Sequence, residues 1–243
     1  MNNSSLAKYS FKSNKLVKNY FKDLNKRGLG DTANDIALYG SKLYIVVNVS
    51  STIEVIDFQT GISIKQIPMF TDNGSSRQPR HIAFYENKAY VCSFDGTVAR
   101  IDTTSLQIES FTKAGRNPEN ICVKNKKLYV SNSGGLDYSE GLGVDNTVSV
   151  IDIESFTEIK KIDVAINLHR LELDRYGNIY VSSRGDYYDT PSKTYVIDSR
   201  TDEVTDILHL LPNSNMTLAG DSLYVYSTEW SWYTEQFATS YAI

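Results

Sequence analysis

Short apolar runs recur along the chain at a wide, nearly regular spacing. LYIVV begins at Leu43, AYVCS at Ala89, LYVSN at Leu128, IYVSS at Ile179 and LYVYS at Leu223, at offsets of 46, 39, 51 and 44 residues. The first four are each followed by a second apolar run ending on aspartate: IEVID at Asp57, VARID at Asp102, VSVID at Asp152 and TYVID at Asp198. Each of these four is also preceded by an apolar patch: DIALYG, HIAFYE, NICVKN and RLELDR. The run from Leu43 to Val47 is almost continuously apolar, as strands covered on both faces are. Around Ile53, Val55 and Asp57 the period is two, which also predicts strand. A unit of about 40–50 residues holding four short strands is the signature of a propeller blade. The predicted fold is therefore all-β: a β-propeller of four-stranded antiparallel blades.

The connections carry turn chemistry. YGSK, YENK, KNKK and DRYGN join the first and second strands, and DFQTG, DTTSL, DIESF and DSRTD join the third and fourth. In the latter set the leading aspartate can accept backbone N–H groups of the turn. Its recurrence at one turn position in every unit predicts a structural role rather than a metal or catalytic one.

The units predict a single propeller domain over residues 1–243. A partial blade occupies 1–30, complete blades lie at about 31–76, 77–115, 116–165 and 166–212, and a partial blade at 213–243. SSLAKYSF aligns with a third strand and KLVKNYF with a fourth. SYAI, at the other end, aligns with the third-strand TYVI. The expectation is a truncated, incomplete seven-bladed ring with four full blades. A closed five-bladed ring, its two ends sharing one blade, is the competing arrangement.

Composition changes this picture little. A formal net charge of -4 and a pI near 5.4 exclude the basic footprint of a nucleic-acid binder. Lys8, Lys12, Lys15, Lys18, Lys22, Lys26 and Arg27 are spread through the N-terminal segment and are expected to form a solvated face. Cys92 and Cys122 sit in apolar runs and are expected to be buried free thiols. No apolar stretch approaches the ~18 residues of a membrane span, and no signal peptide is visible.

The stretch from Pro118 to Ile162, with LYVSNSG and NTVSVIDIESFTEIKKI, resembles the YVTN (YncE-like) propeller repeat, and QPRHIAF at Gln78 repeats its opening. The segment from NNSSLAKYSF to GISIKQI is similar to the start of surface-layer-type lipoproteins of Bacteroidetes, DUF5074-like propellers. Some of that group capture cobalamin at the cell surface and pass it to an outer-membrane transporter. The resemblance implies a protein held at the outer membrane in its full-length form, with a corrinoid as ligand and a transporter as partner. It carries no cofactor and no ligand motif that can be matched residue by residue.

Candidate binding residues fall in two sets. Loops between second and third strands lengthen along the chain, from NVSS and SFDG to NSGGLDYSEGLGVDN, RGDYYDTPSK and EWSWYTEQ. Two residues suffice to close a hairpin, so the extra length marks either a functional surface or structural decoration. The candidates there are Asp137, Tyr138, Arg184, Asp186, Tyr187, Tyr188, Trp230, Trp232 and Tyr233. The second set precedes each innermost strand, at the expected channel mouth: Asp35, Arg80, His81, Glu119, His169 and Arg170. These positions are polar and differ between units, as either a water-filled lining or a ligand-contacting rim would.

Enzymatic readings have less support. Of three histidines, His209 lies in the outer-strand pattern DILHLL and is expected to be structural. His81 and His169 would need carboxylate partners to hold a metal. Asp186, Asp189 and Glu229 could supply oxygens for calcium, but no EF-hand spacing is present. No GxSxG elbow or phosphate-cradling glycine loop appears. The chain reads as a non-enzymatic binding propeller for a small ligand. A protein-interaction propeller of the cell surface is the alternative, and a propeller lyase or quinone-dependent dehydrogenase the less favoured one.

Overall fold

A computed structural model describes residues 4–135, 141–186, 189–211, 215–231 and 234–243. The chain divides into two compact units, Met1–Phe111 and Thr112–Ile243. The strands form antiparallel meanders, the sheets of a β-propeller. Blade 1 is β3 (Ala33–Tyr39), β4 (Lys42–Val47), β5 (Thr52–Asp57) and β6 (Ser63–Pro68). Blade 2 is β7 (Pro79–Tyr85), β8 (Lys88–Ser93), β9 (Thr97–Asp102) and β10 (Ile108–Lys113). Blade 3 is β11 (Pro118–Lys124), β12 (Lys127–Asn132), β13 (Thr147–Asp152) and β14 (Thr157–Asp163). Blade 4 is β15 (Leu168–Leu173), β16 (Asn178–Ser183), β17 (Lys193–Asp198) and β18 (Glu203–Leu208). Blade 5 has three strands, β19 (Asn215–Ala219), β20 (Ser222–Ser231) and β21 (Gln236–Ala242).

Five blades are formed, and this corrects the expected seven-bladed incomplete ring. The N-terminal residues form the expected pair of strands in shorter form and add a helix after it. β1 (Lys8–Ser10) and β2 (Lys15–Val17) form a short hairpin, and NYFKDLN then turns into a helix, α1 (Tyr20–Asn25). The helix lets Phe21 and Leu29 pack onto Ile45, Val47 and Ile56 of blade 1. Asn25 bridges to the third turn of that blade, donating to the Gly61 carbonyl at 3.0 Å and accepting from Ser63 N–H at 2.7 Å. Arg27 departs from the solvated face expected of it. Its Nη2 lies 2.8 and 2.9 Å from the two carboxylate oxygens of Glu54, which is wholly buried. The N-terminal segment is thus a cap, specified by an aromatic plug and an ion pair.

Each blade has two chemically distinct faces. The face carrying Tyr44, Val46, Ile53 and Val55 meets the next blade through Ile82, Ala89, Val91, Ala99 and Ile101. In the second unit Tyr129, Val148, Val150 and Ile162 meet Leu168, Leu171, Ile179, Val181 and Ile197 in the same way. We call the tyrosine side the leading face and the opposite side the trailing face. Burial of such side chains on both faces contributes roughly 1.5–3 kcal/mol each before the ordering cost. This explains why second strands read as unbroken apolar runs.

The turn aspartates act as their position predicts. Asp57 Oδ1 accepts Thr60 N–H at 2.7 Å, Asp102 Oδ1 accepts Ser105 N–H at 2.7 Å, Asp152 Oδ1 accepts Ser155 N–H at 2.7 Å and Asp198 Oδ1 accepts Arg200 N–H at 2.8 Å. The Arg200 side chain, then its backbone, holds the Asp198 carboxyl at about 2. Cys92 and Cys122 are free thiols, and burial, followed by the charge of Glu172, pushes Cys122 up to about 12. Among the described residues no helix is long and apolar enough to cross a membrane.

Candidate functional site

The innermost strands of blades 1–4 all begin with the same backbone device. A non-glycine residue stands at positive φ just ahead of the strand: Thr32 at 59°, Gln78 at 53°, Asn117 at 46° and Asn167 at 54°. Its carbonyl accepts the N–H of the residue just beyond the paired second strand, from Asn48, Phe94, Ser133 and Arg184 at 2.8–3.1 Å. A β-bulge follows, between Ala33 and Asp35, Pro79 and His81, Pro118 and Asn120, and Leu168 and Leu171. Bulges bend the strand and re-aim side chains. The residues in or flanking these bulges are Asp35, Arg80, His81, Glu119, His169 and Arg170, the whole of the channel-mouth set.

The bulges are held from behind by one position of the second strand. Cys92 Sγ donates to the His81 carbonyl at 3.7 Å, Ser131 Oγ donates to the His169 carbonyl at 2.8 Å and accepts Asn120 N–H at 3.1 Å, and Ser182 Oγ accepts Arg170 N–H at 3.0 Å. The small polar residue of VCS, VSN and VSS is therefore a bulge clip. Sequence reasoning read it only as part of a strand, though its alternation of Ser and Cys amid apolar neighbours was the available signal.

In the first unit, Arg80 Nη1 donates to Asn34 Oδ1 at 2.9 Å, while Asn34 Nδ2 donates back to the Arg80 carbonyl at 3.0 Å. The guanidinium lies 4.4 Å from the Phe94 ring centroid, a cation–π distance. Asp35 serves the scaffold: its two oxygens accept Ile36 N–H at 2.8 Å and Ile82 N–H at 3.0 Å, stapling blade 1 to blade 2. His81 is buried.

In the second unit, Glu119, Asn120 and His169 are all buried. His169 Nε2 lies 3.0 Å from Arg184 Nη2. Guanidinium can only donate, so Nε2 is the acceptor and the imidazole proton sits on Nδ1. The loop candidate Arg184 and the mouth candidate His169 thus form one polar pair.

The two long loops of this unit are pinched at the neck. Gly134 and Gly185 have φ of 58° and 65°. A Cβ on Gly134 would stand 2.2 Å from Asp145 N, and one on Gly185 1.9 Å from the Thr190 carbonyl oxygen. Asp145 Oδ2 accepts Arg116 N–H at 2.9 Å, and Arg116 donates onward to the Gly143 and Val144 carbonyls. Asp186 Oδ1 accepts Thr190 N–H at 2.9 Å, so it closes its own loop. Asp137, Tyr138, Tyr187, Tyr188, Trp232 and Tyr233 lie outside the described residues.

Trp230 occupies a different element from the one expected. The first three residues of EWSWYTEQ are strand: β20 continues to Ser231 and pairs with β21 through Trp230↔Phe237 and Ser231↔Gln236. The rings of Trp230 and Phe237 meet edge-on at 5.0 Å. Tyr224, Tyr226, Trp230, Phe237 and Tyr241 share the exposed leading face of blade 5. The period-two spacing of Tyr224, Tyr226, Thr228 and Trp230 is the signal that reveals this extension.

Comparison with solved structures supports the fold alone. Hydrazine synthase of Kuenenia stuttgartiensis is 19% identical with a TM-score of 0.68, over 81% of this chain and 55% of that one. The computationally designed Ika8 protein is 13% identical with a TM-score of 0.58, over 82% of this chain and 58% of the design. The chain therefore spans little more than half the length of these structures. No curated protein matches it in sequence. Residues 1–242 match the model of the family described as domain of unknown function DUF5074, and the chain belongs to that family.

Proposed function

We propose that this protein is a non-enzymatic binding propeller whose ligand surface is the bulged rim of blades 3 and 4 together with the pinched loops beside it. The observation that carries this reading is the rim itself. Four blades repeat one bulge, yet Asn34-Asp35, Arg80-His81, Glu119-Asn120 and His169-Arg170 present different chemistry on it. In blades 3 and 4 that backbone device carries unlike polar groups, Glu119-Asn120 and His169-Arg170, which suits recognition of an asymmetric small molecule. Arg184, hydrogen-bonded to His169, offers a cationic donor at this rim, and in the first unit Arg80 lies over the Phe94 ring.

By its resemblance to cobalamin-capturing surface propellers, the ligand to test first is a corrinoid, taken up at the cell surface and handed to an outer-membrane transporter. Titration calorimetry of cyanocobalamin should show saturable binding, weakened at least tenfold by Arg184→Ala. Absence of heat with folded protein would remove the corrinoid and favour a protein partner on the same rim.

A further inference from the structure

Five arginines of this chain stand within 3.2 Å of a carboxylate: Arg27, Arg77, Arg100, Arg175 and Arg200. Arg184, half-buried at the neck between β16 and β17, has no such partner among the described residues. There its guanidinium makes one side-chain hydrogen bond, to the neutral Nε2 of His169 at 3.0 Å. A guanidinium carries five N–H donors, and a neutral imidazole supplies no negative charge. A partly desolvated cation with spare donors and no counter-ion is a place for an anion.

The backbone on both sides of this contact is fixed. Arg184 N–H donates to the Asn167 carbonyl at 3.1 Å, Asn167 Nδ2 donates to the Gly185 carbonyl at 3.0 Å and Ser183 Oγ donates to the Ile166 carbonyl at 2.7 Å. His169 is buried, and its carbonyl accepts Ser131 Oγ at 2.8 Å. Only the ends of the two side chains are therefore left to rearrange. The charged groups around them are Glu119, from the neighbouring innermost strand β11, Arg170 on β15 itself, and Asp186, whose Oδ1 is engaged by Thr190 N–H at 2.9 Å. At this end β12 brings Ser131 and Asn132, β16 brings Ser182 and Ser183, and β19 brings Asn215 and Met216, none of which titrates. Protonation of His169 turns Nε2 into a donor, and the 3.0 Å contact then sets cation against cation. That arrangement persists only with an anion between the two rings of donors.

We propose that His169 and Arg184 form a proton-coupled site for an oxyanion. Without the anion the imidazole is neutral and latches the guanidinium. When an oxyanion enters, Arg184 turns from the ring onto it, and His169 takes one proton from solvent and donates Nε2–H to the same group. Binding is therefore tighter below the ordinary histidine range, near pH ~6.5, than above it. The inference rests on the rim reading and adds to it the class of ligand group recognised and the pH that favours it.

The test uses the full 243-residue chain and sulfate, an oxyanion that keeps its charge from about pH 5 to 8, where histidine titrates. The imidazole resonances of the three histidines are followed by NMR against pH, that of His169 being the one lost in His169→Gln. Excess sulfate, compared with chloride at equal ionic strength, should raise the His169 midpoint by at least about 0.5 pH and leave that of the exposed His209 in place. Arg184→Ala should raise the midpoint without sulfate, because a cation is removed, and should abolish the response to sulfate. Arg184→Gln, which keeps most of the side chain's bulk, should do the same. Equal midpoints in sulfate and chloride overturn the proposal, as does a sulfate response that survives both Arg184 variants. Cyanocobalamin is absent throughout, so a failed corrinoid titration and a failed sulfate response are separate results.

Discussion

Tyr44 and Tyr129 stand at the same place in the repeat, wholly buried at the leading face of blades 1 and 3. Their surroundings differ by one turn residue of the next blade. In the second unit that residue is Asp202, whose Oδ1 accepts the Tyr129 hydroxyl at 2.5 Å and whose two oxygens accept Lys127 Nζ at 2.6 and 2.7 Å. In the first unit it is Leu106, at the same positive φ, which joins the apolar core. The Tyr44 hydroxyl has no hydrogen-bond partner among the described residues. The place of Lys127 beside Tyr44 is held by Lys42, and Lys88, in the same place of blade 2, pairs within its own blade with Asp102 and Glu109 at 2.9 and 2.5 Å. One position of the repeat therefore makes either an oily seal or a polar clamp, and the αL backbone it needs is compatible with both.

The largest effect should come from forcing the clamp into the seal. Leu106→Asp should cost about 3 kcal/mol in denaturant unfolding, because it removes an apolar plug and buries a carboxylate. A loss below about 1 kcal/mol would mean that Tyr44 captures the new carboxylate, which is the clamp recreated. Asp202→Ala should cost about 2 kcal/mol, since Lys127 and Tyr129 lose their shared acceptor together.

Smaller changes separate the two tyrosines. Tyr129→Phe should destabilise by about 1 kcal/mol, while Tyr44→Phe should fall within about 0.5 kcal/mol of the parent or above it, since it deletes an unpaired buried hydroxyl. Equal losses in the two variants would erase the distinction. The smallest effect is alkaline. Burial, then the charge of Tyr39, pushes Tyr44 up to about 12, and burial, then the Asp202 hydrogen bond, raises Tyr129 further. Their unfolded counterparts ionise near pH ~10, so the neutral phenols' contribution is intact below that pH and lost as pH rises through the folded values. Both Phe variants should flatten the fall in stability above pH ~10, Tyr129→Phe more.

The blades were legible because a strand packed on both faces has little compositional freedom, and the turn aspartates because their carboxylates serve the backbone directly. The bulges were not legible. They are backbone features, and the sequence displays only the variable polar pairs that ride on them. The Arg27–Glu54 pair left a trace that periodicity alone does not weigh: Glu54 occupies the place of Ala99, Ser149 and Tyr195 in the other third strands. Helix α1 was masked by strand-like alternation in KLVKNYF, and tertiary packing of Phe21 decides the matter. The candidate rim was located as a set of positions, whereas the pairing of His169 with Arg184 depends on how a loop neck folds back.

The capped N-terminus bears on how the repeat is sealed. Blade faces are directional: the leading faces of blades 1 and 3 meet the trailing faces of blades 2 and 4. Blade 5 exposes its leading face through Tyr224, Tyr226 and Tyr241. The trailing face of blade 1 is covered by Phe21, Leu29 and the Arg27–Glu54 pair. The plug thus gives blade 1, from a short helix and its flank, the apolar cover that a neighbouring blade gives elsewhere in the repeat.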